Sequence, residues 1–348
     1  MAPFLPPVLA LSLLLGTMIT VTSSNWLLAW MGIEINTLAI IPFMTHSHHP
    51  RATEATTKYF MIQATGAAMI LFSAGIKAWT TGEWVINPFS DPLSTTLLIL
   101  ALAFKMGLAP LHSWLPEVLQ GLDFTTGMIL STWQKIAPMA LMIQAGKTEI
   151  PFMVVIGTMS VLVGGLGGLN QVQTRKIMAY SSIAHLGWMA IALPIAPHLT
   201  LMALTMYIMT TYCMFNILFM TSGKTINTLA ISWAKNNAIL ISTPILLFSL
   251  GGLPPTLGFM PKWFILAEMT SYNMTSLAMM VAVSSLLSLY FYIRLSYALT
   301  LTKAPNTILG LPVWRLQLSS YDILLVSFVV LITLFLPASP MVLALFFY

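Results

Sequence analysis

The chain has 348 residues, of which 58% are hydrophobic and only 7% charged, with a formal net charge of +5. A soluble domain of this length carries about 25% charged residues, so composition excludes a water-soluble fold and points to a bilayer. The basic balance does not indicate nucleic acid, because no basic patch with interleaved aromatics occurs in the sequence. The single cysteine, Cys213, lies in an apolar run and excludes an internal disulfide or a thiolate cluster within the chain.

Apolar stretches near the length that spans about 30 Å of hydrocarbon recur along the whole sequence. They predict transmembrane helices near 3–22, 26–45, 57–77, 92–116, 124–145, 150–169, 177–195, 199–221, 237–268, 274–299 and 321–343. The first stretch lacks a basic leader and a small-residue cleavage site, so it reads as a retained helix. With about eleven spans, one membrane side collects Arg51, Lys58, Arg175, Lys176, Lys224, Lys235, Arg294, Lys303 and Arg315, and the other Lys77 and Lys147. By the positive-inside rule the N-terminus faces the side of insertion and the C-terminus the opposite side.

Three lysines assigned to neither side, Lys105, Lys135 and Lys262, fall inside apolar spans, and Glu34 joins them. Each costs at least about 2.5–3.5 kcal/mol at the centre of a helix unless it is paired or hydrated. Snorkelling to the headgroups accounts for Lys77 and Lys147. It does not account for Lys105, which follows a long apolar run in its span. Removal from water opposes the charged state of a lysine, and a nearby carboxylate favours it. A Glu and a Lys within reach therefore form a pair that can load and unload a proton without a metal or cofactor.

The spans holding Lys105 and Lys262 are interrupted by proline and glycine. "GLAPLHSWLPE" at 107–117 aligns with "GLPPTLGFMPK" at 252–262, pairing Gly107 with Gly252, Leu108 with Leu253, Pro110 with Pro255 and Pro116 with Pro261. A proline removes an amide donor and clashes with the preceding turn. In hydrocarbon the freed carbonyls need partners, so such breaks line protein interiors or wet cavities. The two copies lie an odd number of spans apart, which gives the two halves opposite membrane orientations, as in inverted-repeat transporters. The expected organisation is all-α and integral to the membrane, with half-repeats at 1–147 and 148–303 and a C-terminal transmembrane helix in 304–348.

On these residues the chain resembles the antiporter-like subunits of respiratory complex I and of multisubunit cation/proton antiporters. Glu34, Lys105, Lys135 in "STWQKIAP" and Lys262 in "GFMPKWF" match that family's intramembrane charges in order, and "QTRKIMAYSSIAHLGWM" at 173–189 resembles another of its stretches. Family members usually carry three further initial helices. The shorter length and the Met-rich composition are similar to animal mitochondrially encoded members. The resemblance implies a proton-translocating subunit in the mitochondrial inner membrane, N-terminus on the matrix side, that couples NADH-to-ubiquinone electron transfer to proton pumping. Its partners would be the other membrane and peripheral subunits and membrane lipids. Flavin, iron–sulfur clusters and quinone are expected on those partner subunits and none in this chain. An autonomous cation/proton antiporter is the alternative; a purely structural scaffold leaves the buried charges unexplained.

Within this frame Lys105 is the expected central carrier, Glu34 its modulator, Lys135 the onward relay and Lys262 the exit or the link to a neighbour. His185 either bridges Lys135 and Lys262 through water or bonds a backbone carbonyl. His112 and Glu117 either line the aqueous side of the first break or sit at headgroup level. "HSHHP" at 46–50 reads as a solvated loop rather than a metal tract. "GGLGGLN" at 164–170 is no dinucleotide fingerprint, because no strand precedes it; Gly164 and Gly168 form a small-residue face instead.

Overall fold

A computed structural model describes residues 5–46, 48–86, 91–145, 150–230 and 237–301. Among them there is no strand, only helices and two isolated bridges, Asn25 with Val85 and Gln173 with Thr225. The expected span at 321–343 lies outside the described residues, as do Lys147, Lys235, Lys303 and Arg315. Five of the described helices are long and apolar enough to cross a membrane. Many of their large apolar side chains are exposed, such as Leu28, Phe72 and Met279, as a lipid-facing surface requires. The chain divides into two compact units, 1–160 and 161–348.

The first unit contains α1 (Leu5–Thr22), α2 (Trp26–Thr45), α3 (Pro50–Thr81), α4 (Pro92–Met106), α5 (Trp114–Gly121), α6 (Phe124–Thr132), α7 (Ile136–Gln144) and the start of α8 (Ile150–Gly168). Helix starts follow local chemistry. Asn25 accepts the Leu27 amide at 3.0 Å, and Pro50 and Pro92 occupy first-turn positions where a missing amide leaves no bond unmade. α1 and α2 meet through Gly16 and Gly32: a Cβ on either would lie 2.9 Å from the other's carbonyl oxygen. Lys77 does not reach headgroups as the sequence suggests. It is buried and donates to the Val85 carbonyl at 2.9 Å, because the segment after α3 folds back and bonds to the start of α2.

The span expected at 124–145 is also not one helix. α6 and α7 are separated by a 3-10 turn, Trp133–Lys135. Pro138, which has no amide to offer the Gln134 carbonyl, accounts for the interruption. Lys135 stands at that turn.

The second unit contains the rest of α8, α9 (Thr174–Ala192), α10 (Pro197–Thr221), α11 (Ile226–Ala230), α12 (Asn237–Gly251), α13 (Phe259–Ser271) and α14 (Thr275–Leu301). The glycines of α8 serve two neighbours. Added Cβ atoms on Gly164 and Gly167 would strike Ala184 and Tyr180 of α9, and those on Gly165 and Gly168 would strike Leu287 and Phe291 of α14. Gly164 and Gly168 therefore face different helices, instead of forming one seam.

Both long interrupted spans break in the same way. Gly107 and Gly252 follow α4 and α12 in the left-handed conformation, with φ of 80° and 78°. The Gly107 amide donates to the Ala103 carbonyl at 2.9 Å and that of Leu108 to the same carbonyl at 3.0 Å; Gly252 and Leu253 repeat this on Phe248 at 3.0 and 3.1 Å. Glycine adopts this backbone without strain, and the turn back onto the helix satisfies carbonyls that the break would orphan. Pro116 and Pro261 do not break anything. Each sits in the first turn of the next helix, α5 or α13, where proline is tolerated.

The tight α8–α9 contact makes a prediction. A Cβ at Gly164 would lie 2.7 Å from the Ala184 backbone nitrogen, whereas one at Gly75 meets nothing within 4 Å. Gly164→Val therefore destabilises by about 1–3 kcal/mol through overpacking, while Gly75→Ala is neutral or stabilising by about 0.5–1 kcal/mol. Thermal unfolding of both variants in detergent checks the contrast.

Candidate functional site

In the first unit the site is built around the end of α4. Lys105 lies two residues before the left-handed glycine and is only 5% exposed. Its Nζ has no hydrogen-bond partner among the described residues. The carbonyls around it are held from other elements: the Trp114 indole donates to Phe104 at 3.1 Å, and the Gln63 amide to Lys105 itself at 3.2 Å. Within the break, the Ala109 amide donates to Ser160 Oγ at 3.0 Å. Every one of these bonds replaces a backbone partner that a continuous helix would have supplied.

Glu34 is half-buried on α2, where Thr37 donates to its carboxylate at 3.1 Å. It interacts electrostatically with Lys105 and with Tyr59 of α3. Lys135 is 3% exposed at the N-terminal cap of α7, a helix that packs against both α2 and α4. The adjoining Gln134 ties the turn to α2 by donating to the Asn36 carbonyl at 3.3 Å. Glu34 and Lys105 thus stand on α2 and α4, two helices that each pack against α7, at whose start Lys135 stands.

After the break, α5 runs along the start of α3, so close that a Cβ on Gly121 would lie 2.7 Å from the Arg51 carbonyl oxygen. Glu117 is exposed and pairs with Lys58 at 2.9 Å; Lys58 also pairs with Glu54 at 2.9 Å. These side chains and Arg51 line an open cleft of about 470 Å³. His112 is partly buried, its Nδ1 donating to the Pro110 carbonyl at 3.2 Å. Of the two residues after the break, Glu117 joins this polar cleft and His112 stays with the loop.

The second unit holds a separate cluster. Lys262 follows its break instead of preceding it, and its Nζ returns to donate to the Gly251 carbonyl at 2.8 Å. An ammonium there meets the negative end of the α12 dipole. The same Nζ lies 6.0 Å from the centroid of the Trp188 ring, within range of a cation–π contact. Lys262, His185, Tyr207, Thr210 and Ser249 line a cavity of about 20 Å³, room for about one water. His185 and Tyr207 have ring centroids 5.6 Å apart. Lys262 and His185 therefore share a chamber, while Lys135 belongs to the other unit.

"HSHHP" contributes a cap: His49 Nδ1 accepts the Arg51 amide at 3.2 Å. No group of three or more His, Cys, Asp or Glu suited to a metal occurs among the described residues. The sequence by itself does not single out Tyr59, Gln63, Trp114, Ser160, Trp188 or Tyr207. Gln63 alone left a signal, a polar amide inside the apolar run "MIQATG"; the others are ordinary membrane residues until packing assigns their neighbours.

The parked position of Lys262 depends on Gly252. A Cβ there would lie 2.9 Å from Lys262 Nζ and Cδ, in a backbone conformation with φ of 78°. Gly252→Ala therefore costs about 1–2 kcal/mol in backbone strain and pushes the ammonium off the Gly251 carbonyl. Thermal unfolding reads the first effect, and a structure of the variant reads the second.

A family model described as "NADH:quinone oxidoreductase/Mrp antiporter, TM" matches residues 23–288, and one described as "NADH dehydrogenase subunit 2 C-terminus" matches residues 289–343. NADH-ubiquinone oxidoreductase chain 2 of Tetraodon nigroviridis is 55% identical over 346 residues, covering 99% of both chains. The protein of that name from Oncorhynchus mykiss is 56% identical over 345 residues, again covering 99% of both. Among solved structures, respiratory complex I from Thermus thermophilus contains a chain that superposes with a TM-score of 0.83 at 27% identity, covering 97% of this chain and 80% of that one. The Mrp complex from Dietzia sp. DQ12-45-1b gives a TM-score of 0.76 at 17% identity, covering 84% of this chain and 60% of that one, a likeness of fold alone. With buried lysines beside broken helices and relatives matched from end to end, the chain belongs to the NADH-ubiquinone oxidoreductase chain 2 family of multi-pass membrane proteins.

Proposed function

We propose that the protein is a proton-translocating subunit of respiratory complex I, coupling NADH-to-ubiquinone electron transfer to proton pumping. In this reading Lys105 is the central carrier, Glu34 modulates its proton affinity, and Lys135 passes the proton on. His185 and Lys262 form the second station, linked through a single water. The reading is carried by one observation: the Lys105 amine is buried without a hydrogen-bond partner among the described residues, with Glu34 acting on it electrostatically. A structural lysine in that environment would have its donors satisfied, as Lys77 does on Val85.

The two halves, 1–147 and 148–303, act as inverted repeats. Support comes from the matching glycine caps at Gly107 and Gly252 and the matching starts of α5 and α13. The protein resides in the mitochondrial inner membrane with its N-terminus on the matrix side and its C-terminus on the intermembrane-space side, as the basic asymmetry suggests. Glu117 and Lys58 then mark the aqueous mouth of the first half. Flavin, iron–sulfur clusters and quinone belong to partner subunits, and coupling reaches this chain electrostatically or through conformational change.

Lys105→Met keeps the stem's volume and removes the titratable group. Loss of a positioned acid–base group slows the proton-transfer step by about 10²–10⁴. NADH-driven pumping by the assembled complex should fall sharply with Lys105→Met, and less steeply with Glu34→Gln, while complex assembly persists. Wild-type pumping by Lys105→Met would remove this lysine from the path.

A further inference from the structure

The Lys105 amine has no hydrogen bond at its tip among the described residues, and the contacts that constrain it lie at its root. α3 provides the means. Tyr59, Gln63 and Gly66 succeed one another at helical spacing on the face that packs against α4. A Cβ on Gly66 would lie 3.0 Å from Lys105 Cγ and 3.6 Å from Cε, so the lysine stem runs directly over that glycine. About one turn away, Gln63 Nε2 donates 3.2 Å to the carbonyl of Lys105 itself, and Gln63 is only 4% exposed. One more turn on, Tyr59 lies 6.0 Å from the Trp114 ring and interacts electrostatically with Glu34.

A capping role alone would be met by a donor on any carbonyl of the last α4 turn. The Gln63 bond falls instead on the residue whose side chain carries the charge. It fixes the peptide plane from which the Lys105 Cα–Cβ bond departs, while Gly66 leaves the channel along which the stem extends. Resting on the function proposed above, we infer that Gln63 is a positioning residue that aims Lys105 within the electrostatic reach of Glu34. Other charged groups on the helices packed against this face do not compete for that role. Glu117 of α5 is engaged by Lys58, and Glu34 of α2 is the partner itself.

The test uses the intact complex reconstituted in liposomes, with proton pumping and NADH oxidation measured together across pH. Gln63→Met removes the donor at similar volume. Gln63→Asn keeps a buried amide but is one methylene too short to span the bond. Both variants should lower protons pumped per NADH several-fold for each assembled complex, with a pH profile that moves off that of the wild type. A defect of folding alone lowers only the amount of complex. Should Gln63→Met fail to assemble, Gln63→Asn decides the matter. Wild-type pumping and pH profile in an assembled Gln63 variant, beside a Lys105→Met complex that has lost pumping, would overturn the positioning role alone. Full pumping by Lys105→Met would overturn the inference together with the function on which it rests.

Discussion

Hydrocarbon offers no hydrogen-bond partner to a peptide group, and each interruption of a helix in this protein has to be repaired from within. That constraint explains the polar residues found near the breaks. Trp114, Gln63 and Ser160 reach the end of α4 and the loop beyond it, each bonding a backbone group left without its helical partner. The Lys262 ammonium does the same for the end of α12. A break in a membrane helix is thus a demand for donors, and the side chains that meet it are brought into the interior beside the buried lysines. The breaks and the buried charges are one device.

The two breaks use the same backbone and reverse the chemistry. Each begins at a left-handed glycine whose amide turns back onto the helix, and each ends where proline enters the first turn of the next helix. In the first, the lysine precedes the glycine and its amine is left without a hydrogen bond among the described residues. In the second, the lysine follows the proline and its amine caps the helix it has just left. A lysine whose amine is bonded to a helix C-terminus has a fixed partner within the chain, whereas one whose amine lacks such a bond is left to its surroundings. The half carrying Glu34 and Lys105 leaves its lysine amine without such a bond among the described residues, and the half carrying Lys262 gives its amine a defined place beside Trp188 and the His185 chamber.

The 3-10 turn at Trp133–Lys135 is a milder form of the same solution. A proline placed just after the lysine loosens one turn of helix without a full break. The neighbouring glutamine then ties that turn to α2, the helix that carries Glu34. Tight glycine contacts elsewhere, between α1 and α2 and around α8, keep the surrounding helices close, because in lipid the packing of small residues replaces the hydrophobic drive that joins helices in water.

Composition and residue spacing by themselves determined that this is an all-helical membrane protein, that two of its spans break at related Gly/Pro motifs, and that four charges lie inside apolar segments. These follow from local rules: what a run of apolar residues does in lipid, and what glycine and proline do to a backbone. Pro138 even makes the turn at Lys135 legible, since its missing amide leaves the Gln134 carbonyl without a helical partner. Tertiary structure alone decided which side chain meets which orphaned group. It buried Lys77 against Val85, paired Glu117 with Lys58, divided the α8 glycines between two neighbours, and set Gln63 on the Lys105 carbonyl. Those pairings depend on how helices far apart in sequence approach and rotate against one another, and no spacing within a single segment encodes that.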